Sequence, residues 1–181
     1  MSYYDVVFSG FGGQGILLAG DLLAHAAMLE EKHVTWMPSY GAEMRGGAAN
    51  CTVVVSSERI GSPFADTPCC LYAMSKPSLF KFHDRVKKGG LILVNTSFVE
   101  PTLITRRDVQ KICIPASEIA YQEVGEYKMA NIIMLGTLIS VSGVVSLEKT
   151  EEAMADLFNG GKKAALPKMI QAVRAGYYHK I

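Results

Sequence analysis

Cysteine is scarce in this 181-residue chain, and the four present, Cys51, Cys69, Cys70 and Cys113, include no C-x-x-C pair. Adjacent Cys69 and Cys70 on a strand would point to opposite faces, so neither a zinc site nor an iron–sulfur cluster is suggested. Buried reduced thiols are expected instead. Long apolar runs are also missing. The longest, around Ile132 to Val145, is broken by Gly136, Thr137, Ser140, Ser142 and Gly143, short of the roughly 18 residues that cross a bilayer, and no membrane association is expected. Asp5 stands where a signal peptide would need basic residues before an apolar stretch, which leaves a cytoplasmic location as the expectation. No excess of one charge sign exists: 18 Lys+Arg face 17 Asp+Glu, a net charge of +1, so nothing steers the chain toward nucleic acid. Its only histidines, His25, His33, His83 and His179, sit in no nucleophile setting, and the G-x-x-x-x-G-K-[ST] loop is absent. We therefore assign no catalytic residue and no metal ligand.

Apolar residues make up 49% of the chain and charged residues only 19%. A single core of this length buries about 70% of the surface of the unfolded chain, and residues 1–181 read as one domain. A thick α/β core accounts for that composition, as does apolar surface buried against other subunits. Strand-like runs are expected at Tyr4–Ser9, His33–Met37 (stopped by Pro38), Asn50–Ser56, Cys69–Met74, Leu91–Asn95 and Lys111–Ile114. Helical spacing marks Ile16–Leu29, Ser78–Val86 with Ser75 as cap, Ser117–Gln122, Met129–Val141, a helix opening at Thr150 and ended by Gly160-Gly161, and a last one begun properly at Pro167. Small residues Ala130, Gly136 and Ser140 suit close packing of the Met129–Val141 helix on the sheet or on a partner. This alternation predicts an α/β fold: three layers, a mostly parallel doubly wound sheet and a Rossmann-like start.

Gly10-Phe11-Gly12-Gly13-Gln14-Gly15 lies between the first strand and the first helix. Glycine-freed backbone amides and a helix N-terminus favour an anion there. A dinucleotide site would also need an acidic residue at the end of the second strand, a place held here by Met37 and Pro38. The glycine pattern alone is thus a weak argument for NAD or FAD, and tight helix-on-strand packing explains Gly15 without a ligand. The segment from Ser39 to Gly47 has too many glycines for a helix or strand and leaves the edge where the glycine turn also lies. The two loops should meet over one crevice, with Glu43 and Arg45 facing a ligand or an interface, or forming an exposed ion pair.

The two stretches in this order, Gly10 to Gly15 and Pro38-Ser39-Tyr40-Gly41-Ala42-Glu43-Met44-Arg45-Gly46-Gly47, resemble the γ subunit or γ domain of the 2-oxoacid:ferredoxin (acceptor) oxidoreductases. The resemblance covers essentially the whole chain, including Asn131 and Gly136. It implies one subunit of a complex that decarboxylates a 2-oxoacid such as pyruvate or 2-oxoglutarate oxidatively to acyl-CoA and passes electrons to ferredoxin. Thiamine diphosphate, magnesium and the iron–sulfur clusters would sit on partner subunits, since the G-D-G…N motif and cluster cysteines are missing here. This chain would contribute to coenzyme A binding and to assembly, and would be inactive alone, with self-association in isolation left open. The residues carried over are Gly10, Gly12, Gly13, Gln14 and Gly15 for the turn, and Tyr40, Gly41, Glu43, Arg45 and Gly46 for the second loop. They would touch CoA or a neighbouring subunit, and Arg45 could pair with a phosphate or a carboxylate. The rival expectations are a free-standing NAD- or FAD-binding oxidoreductase or sensor, carried by the glycine motif alone, and a pure assembly scaffold.

Overall fold

The apolar N-terminal run forms β1 (Tyr3–Phe11), whose alternating side chains feed two separate cores: Val6 and Phe8 one, Val7 the other. The structure, a computed structural model, describes residues 2–40, 47–159 and 163–180. From β1 the chain turns into α1 (Ile16–Leu29) and returns as β2 (His33–Tyr40). β3 (Ala48–Ser56) then inserts between them, antiparallel to both. The βα passages that follow are β4 (Cys70–Ala73) with α2 (Lys76–Phe82), β5 (Leu91–Asn95), and β6 (Gln110–Ile114) with α3 (Ala116–Val124). The six-stranded sheet has the order β2-β3-β1-β4-β5-β6, and every strand except β3 runs the same way. The expected doubly wound, mostly parallel sheet is present, with one antiparallel strand that periodicity could not reveal.

Pro38 does not stop the second strand, which continues to Tyr40. The reason is position: β2 pairs only with β3 and forms the sheet edge, where a residue without an N–H breaks no ladder bond.

One face of the sheet carries α1, α3, α4 (Ala130–Ser142), α5 (Leu147–Leu157) and α6 (Leu166–Tyr178); the other carries α2 and its smaller core of Leu79, Phe82, Val86 and neighbours. α4 is apolar all round and buried from Ala130 to Ile139, as a central helix must be. Its close partner is α6 of the same chain. A Cβ on Gly136 would lie 2.1 Å from the Val173 carbonyl oxygen, one on Gly176 would lie 1.8 Å from that of Ile133, and Thr137 Oγ1 donates to the Gly176 carbonyl at 3.0 Å. Only glycines permit this backbone approach.

Two helix boundaries differ most from the expectation. α5 starts three residues before Thr150, because Ser146 caps it by accepting the Lys149 N–H. α2 ends at Phe82 and tightens into a 3-10 turn over His83–Arg85. The Gly160-Gly161 stop lies outside the described residues. All four cysteines are free thiols; Cys51, Cys69 and Cys70 are buried and Cys113 is partly so. Burial pushes the Cys51 thiol up to about 12, so it stays protonated. No helix among the described residues is long and apolar enough to cross a membrane.

Candidate functional site

The strand order reverses between β1 and β4, the place where open α/β sheets hold ligands beyond their carboxyl ends. The chain after β1 is the glycine turn, and the chain after β4 begins at Met74. Gln14 stitches the two together: its Oε1 accepts the Phe11 N–H at 2.7 Å, and its Nε2 donates to the Met74 carbonyl at 3.2 Å. The Gly12 N–H donates to the Gly47 carbonyl at 3.0 Å, so the end of the second loop does meet the glycine turn.

The motif glycines divide by role. A Cβ on Gly10 would sit 2.5 Å from Gln14 Oε1 and 2.6 Å from Ile16 Cδ1, and one on Gly15 would sit 2.3 Å from Asn131 Nδ2. Both are therefore packing glycines, and Gly15 also needs its positive φ of 72° as the residue that starts α1. Gly13, with φ of 94° and nothing within 4 Å of an added Cβ, faces open space. Of the predicted site residues, Gly13 and Gln14 line the crevice; Gly10 and Gly15 pack against Gln14, Ile16 and Asn131, and Gly12 is exposed and bonds to Gly47. Tyr40 closes β2 opposite Ala49. Gly41, Glu43, Arg45 and Gly46 lie outside the described residues.

The crevice has a volume of about 250 Å³, and its walls include Met74, Phe98, Ser117, Tyr127, Lys128 and Asn131. These arrive from the ends of β4 and β5 and from the starts of α3 and α4. Its electrostatics suit an anion. The first helical bond of α1 runs from the Ala19 N–H to the Gly15 carbonyl at 3.0 Å, so among the described residues the amides of Ile16, Leu17 and Leu18 keep their donors free. Neither α1 nor α4 carries an acidic residue in its first turn, and Lys128 adds a full positive charge on the wall. α3 differs: Asn95 Oδ1 accepts the Ala116 N–H at 3.1 Å and Ser97 Oγ accepts that of Ser117 at 3.3 Å, which satisfies its start internally.

Asn131 fixes the turn from the α4 side. Its Nδ2 donates to the Gly15 carbonyl at 3.0 Å, while its own backbone carbonyl accepts the buried Tyr72 hydroxyl at 2.5 Å. Burial holds the Tyr72 phenol far above its ordinary range, so it remains a donor. Met74 could have been placed here from the rule that strand ends line such crevices. Tyr127 and Lys128 could not, since they come from just before a helix more than a hundred residues after the glycines, and the family resemblance marks Asn131 without giving it a role.

The same geometry weighs against a dinucleotide site. β3 separates β2 from β1, so the end of β2 lies two strand spacings, roughly 9–10 Å, from the glycine strand, and its last residues, Met37 to Tyr40, include no acidic one.

Residues 5–178 match the family described as pyruvate ferredoxin/flavodoxin oxidoreductase. The chain belongs to this family. Among relatives of this oxidoreductase family, the ketoisovalerate oxidoreductase subunit VorA of Methanothermobacter marburgensis is 41% identical over 160 residues, which cover 87% of this chain and 33% of that protein. The chain thus spans about a third of the length of that relative. A crystal structure described as the γ subunit of a keto/oxoacid ferredoxin oxidoreductase from Geobacter sulfurreducens superposes with a TM-score of 0.81 at 31% identity, over 96% of both chains. The 2-oxoglutarate:ferredoxin oxidoreductase from Magnetococcus marinus, solved with 2-oxoglutarate, coenzyme A and succinyl-CoA bound, superposes with a TM-score of 0.87 at 25% identity, over 97% of this chain and 30% of that one. The family's γ-subunit fold is accordingly the fold of this chain.

Proposed function

We propose that the chain serves as the γ subunit of a multi-subunit 2-oxoacid:ferredoxin oxidoreductase that converts a 2-oxoacid and CoA to acyl-CoA and carbon dioxide, with electrons passed to ferredoxin in the cytoplasm. Its share is to hold CoA phosphate groups in the crevice at Gly13 and Gln14 and to dock against the subunits that carry thiamine diphosphate, magnesium and iron–sulfur clusters. Thiamine diphosphate on a partner would supply the decarboxylating chemistry. The residues of this chain bind and orient. The observation that carries the reading is a crevice that joins the glycine turn ahead of α1 and Lys128 to an apolar wall of Met74 and Phe98, with no acidic side chain among its described lining residues. Phosphates suit the first part and a pantetheine arm suits the second. Positioning of this kind contributes orders of magnitude in rate without any catalytic side chain. In this proposal Tyr40, Gly41, Glu43, Arg45 and Gly46 contact CoA or a partner subunit.

Co-purification from the native host, with mass spectrometry of the partners and acceptor reduction measured over a panel of 2-oxoacids, tests the assignment. Reduction that depends on both a 2-oxoacid and CoA is the expected result. A chain that binds NAD or FAD tightly, and neither CoA nor any partner, would overturn it.

A further inference from the structure

Two tyrosines from separate elements stack at the rim of the crevice. Tyr121, on α3, and Tyr127, in the 3-10 turn Tyr127–Met129 ahead of α4, lie ring on ring, with centroids 4.6 Å apart and planes 10° from parallel. Tyr127 lines the crevice, and Tyr121 backs it. A ring with one face covered that is still 60% exposed has its other face bare. Phe98, 51% exposed, lines the same crevice, so open aromatic surface is gathered at one place, and gathered apolar surface of this kind marks an interaction site. The stack sets the plane of Tyr127 before anything binds, which leaves little side-chain freedom to be lost on binding. A flat, bare and pre-set π face suits a planar heteroaromatic ring. The next residue supplies the matching charge: Lys128 lines the crevice and pairs with no carboxylate among the described residues, whereas the neighbouring Glu126 is taken up by Lys168.

We infer that Tyr127 is the stacking platform for the adenine base of CoA, and that Tyr121 is a positioning residue that holds its plane. This rests on the crevice being the CoA site proposed above, and it assigns the nucleotide end of the ligand to the rim formed by residues 121–128. Volume agrees with that division. At about 250 Å³ the crevice encloses a fragment of CoA and not the whole of it, so the remainder lies over the rim, where Tyr127 stands. The ring contributes through its face, and its hydroxyl is dispensable. Tyr127 then discriminates between ligands that carry a base and ligands that carry only the phosphate and the pantetheine arm.

The test is calorimetric titration of the complex with its co-purified partners, using two probes: CoA, and 4′-phosphopantetheine, which shares the arm and one phosphate but has no base. Wild type, Tyr127→Leu, Tyr127→Phe and Tyr121→Leu are compared. Tyr127→Leu should weaken CoA by about 5- to 100-fold, the worth of one base–aromatic stack, and leave 4′-phosphopantetheine nearly unchanged. Tyr127→Phe keeps the face and should bind CoA like wild type, and Tyr121→Leu should lose part of the CoA affinity and none of that for 4′-phosphopantetheine. Equal weakening of both probes by Tyr127→Leu, no weakening of either, or a loss in Tyr127→Phe as large as in Tyr127→Leu would overturn the inference while leaving the CoA site intact. A Tyr127→Leu chain that no longer joins its partners would mark the ring as a subunit contact, with the same consequence. Equal affinity of the wild-type complex for the two probes would overturn it without any variant. A wild-type complex that binds neither probe would overturn the CoA site itself, and the inference with it.

Discussion

Replacing Gly15 by alanine tests whether the glycine turn is held in place from α4. The new Cβ would lie 2.3 Å from Asn131 Nδ2 and 2.9 Å from its Cγ, at a backbone φ of 72°. The left-handed conformation alone costs an L residue roughly 1–2 kcal/mol. Asn131 must also swing away and give up its bond to the Gly15 carbonyl, and the loss of a buried amide's partner costs about 1–3 kcal/mol more. The sum is about 2–5 kcal/mol, a large part of the 5–15 kcal/mol typical of a folded domain. At about 2–4 °C per kcal/mol for a chain of this size, the midpoint of thermal unfolding should fall by roughly 5–20 °C. Gly13→Ala is the control, since its φ of 94° carries a conformational cost but nothing lies within 4 Å of the added atom. A double-mutant cycle isolates the contact. In an Asn131→Ala background the steric part disappears, so Gly15→Ala should cost only about 1–2 kcal/mol, and the two changes should couple by at least about 1 kcal/mol. Additive effects in urea denaturation would refute the claim that Asn131 and Gly15 form one unit.

Other outcomes follow from the same geometry. Gly136→Ala and Gly176→Ala should each cost about 3 kcal/mol or more, because the intruding atom meets backbone on the facing helix; Gly61→Ala, with open space around it, should change stability by less than about 0.5 kcal/mol in the same denaturation assay. Glu30 links α1 to the start of α5: burial raises its pKa, but hydrogen bonds from Lys32 and the Ser146 N–H at 2.6 Å each outweigh that and hold it below 4.5. A depressed carboxylate stabilises the fold above its unfolded pKa, and this contribution is lost as pH falls through the folded value. The stability gap between wild type and Glu30→Gln should therefore be full at neutral pH and close below 4.5; a gap independent of pH in urea titrations would contradict the assignment. Lys128→Ala in the assembled complex should raise KM for CoA by about 2- to 5-fold, as loss of one exposed charge contact implies, with KM for the 2-oxoacid unchanged. A rise in both, or in neither, would remove Lys128 from the CoA wall.

Local pattern was enough to determine the alternation of strands and helices, the start of the sheet at Tyr4 to Ser9, and the anion-favouring turn that follows, because period-two and period-3.6 burial and glycine punctuation are properties of neighbouring residues. Pairing is not such a property. The insertion of β3 between β1 and β2, and the passage of β2 through Pro38, depend on which strand ends at the sheet edge. The small residues of α4 are visible in the sequence, but the surface they meet is not: Gly136 faces the backbone of Val173 and Tyr177, Gly176 faces that of Ile133, and only the folded chain brings the two helices together. The site divides in the same way. Gly13 and Gln14 could be placed from the motif, whereas Lys128 and Asn131 reach the crevice only because α4 begins beside the glycine turn. The bond from Asn131 to the Gly15 carbonyl joins segments 116 residues apart, and no spacing within either one encodes it.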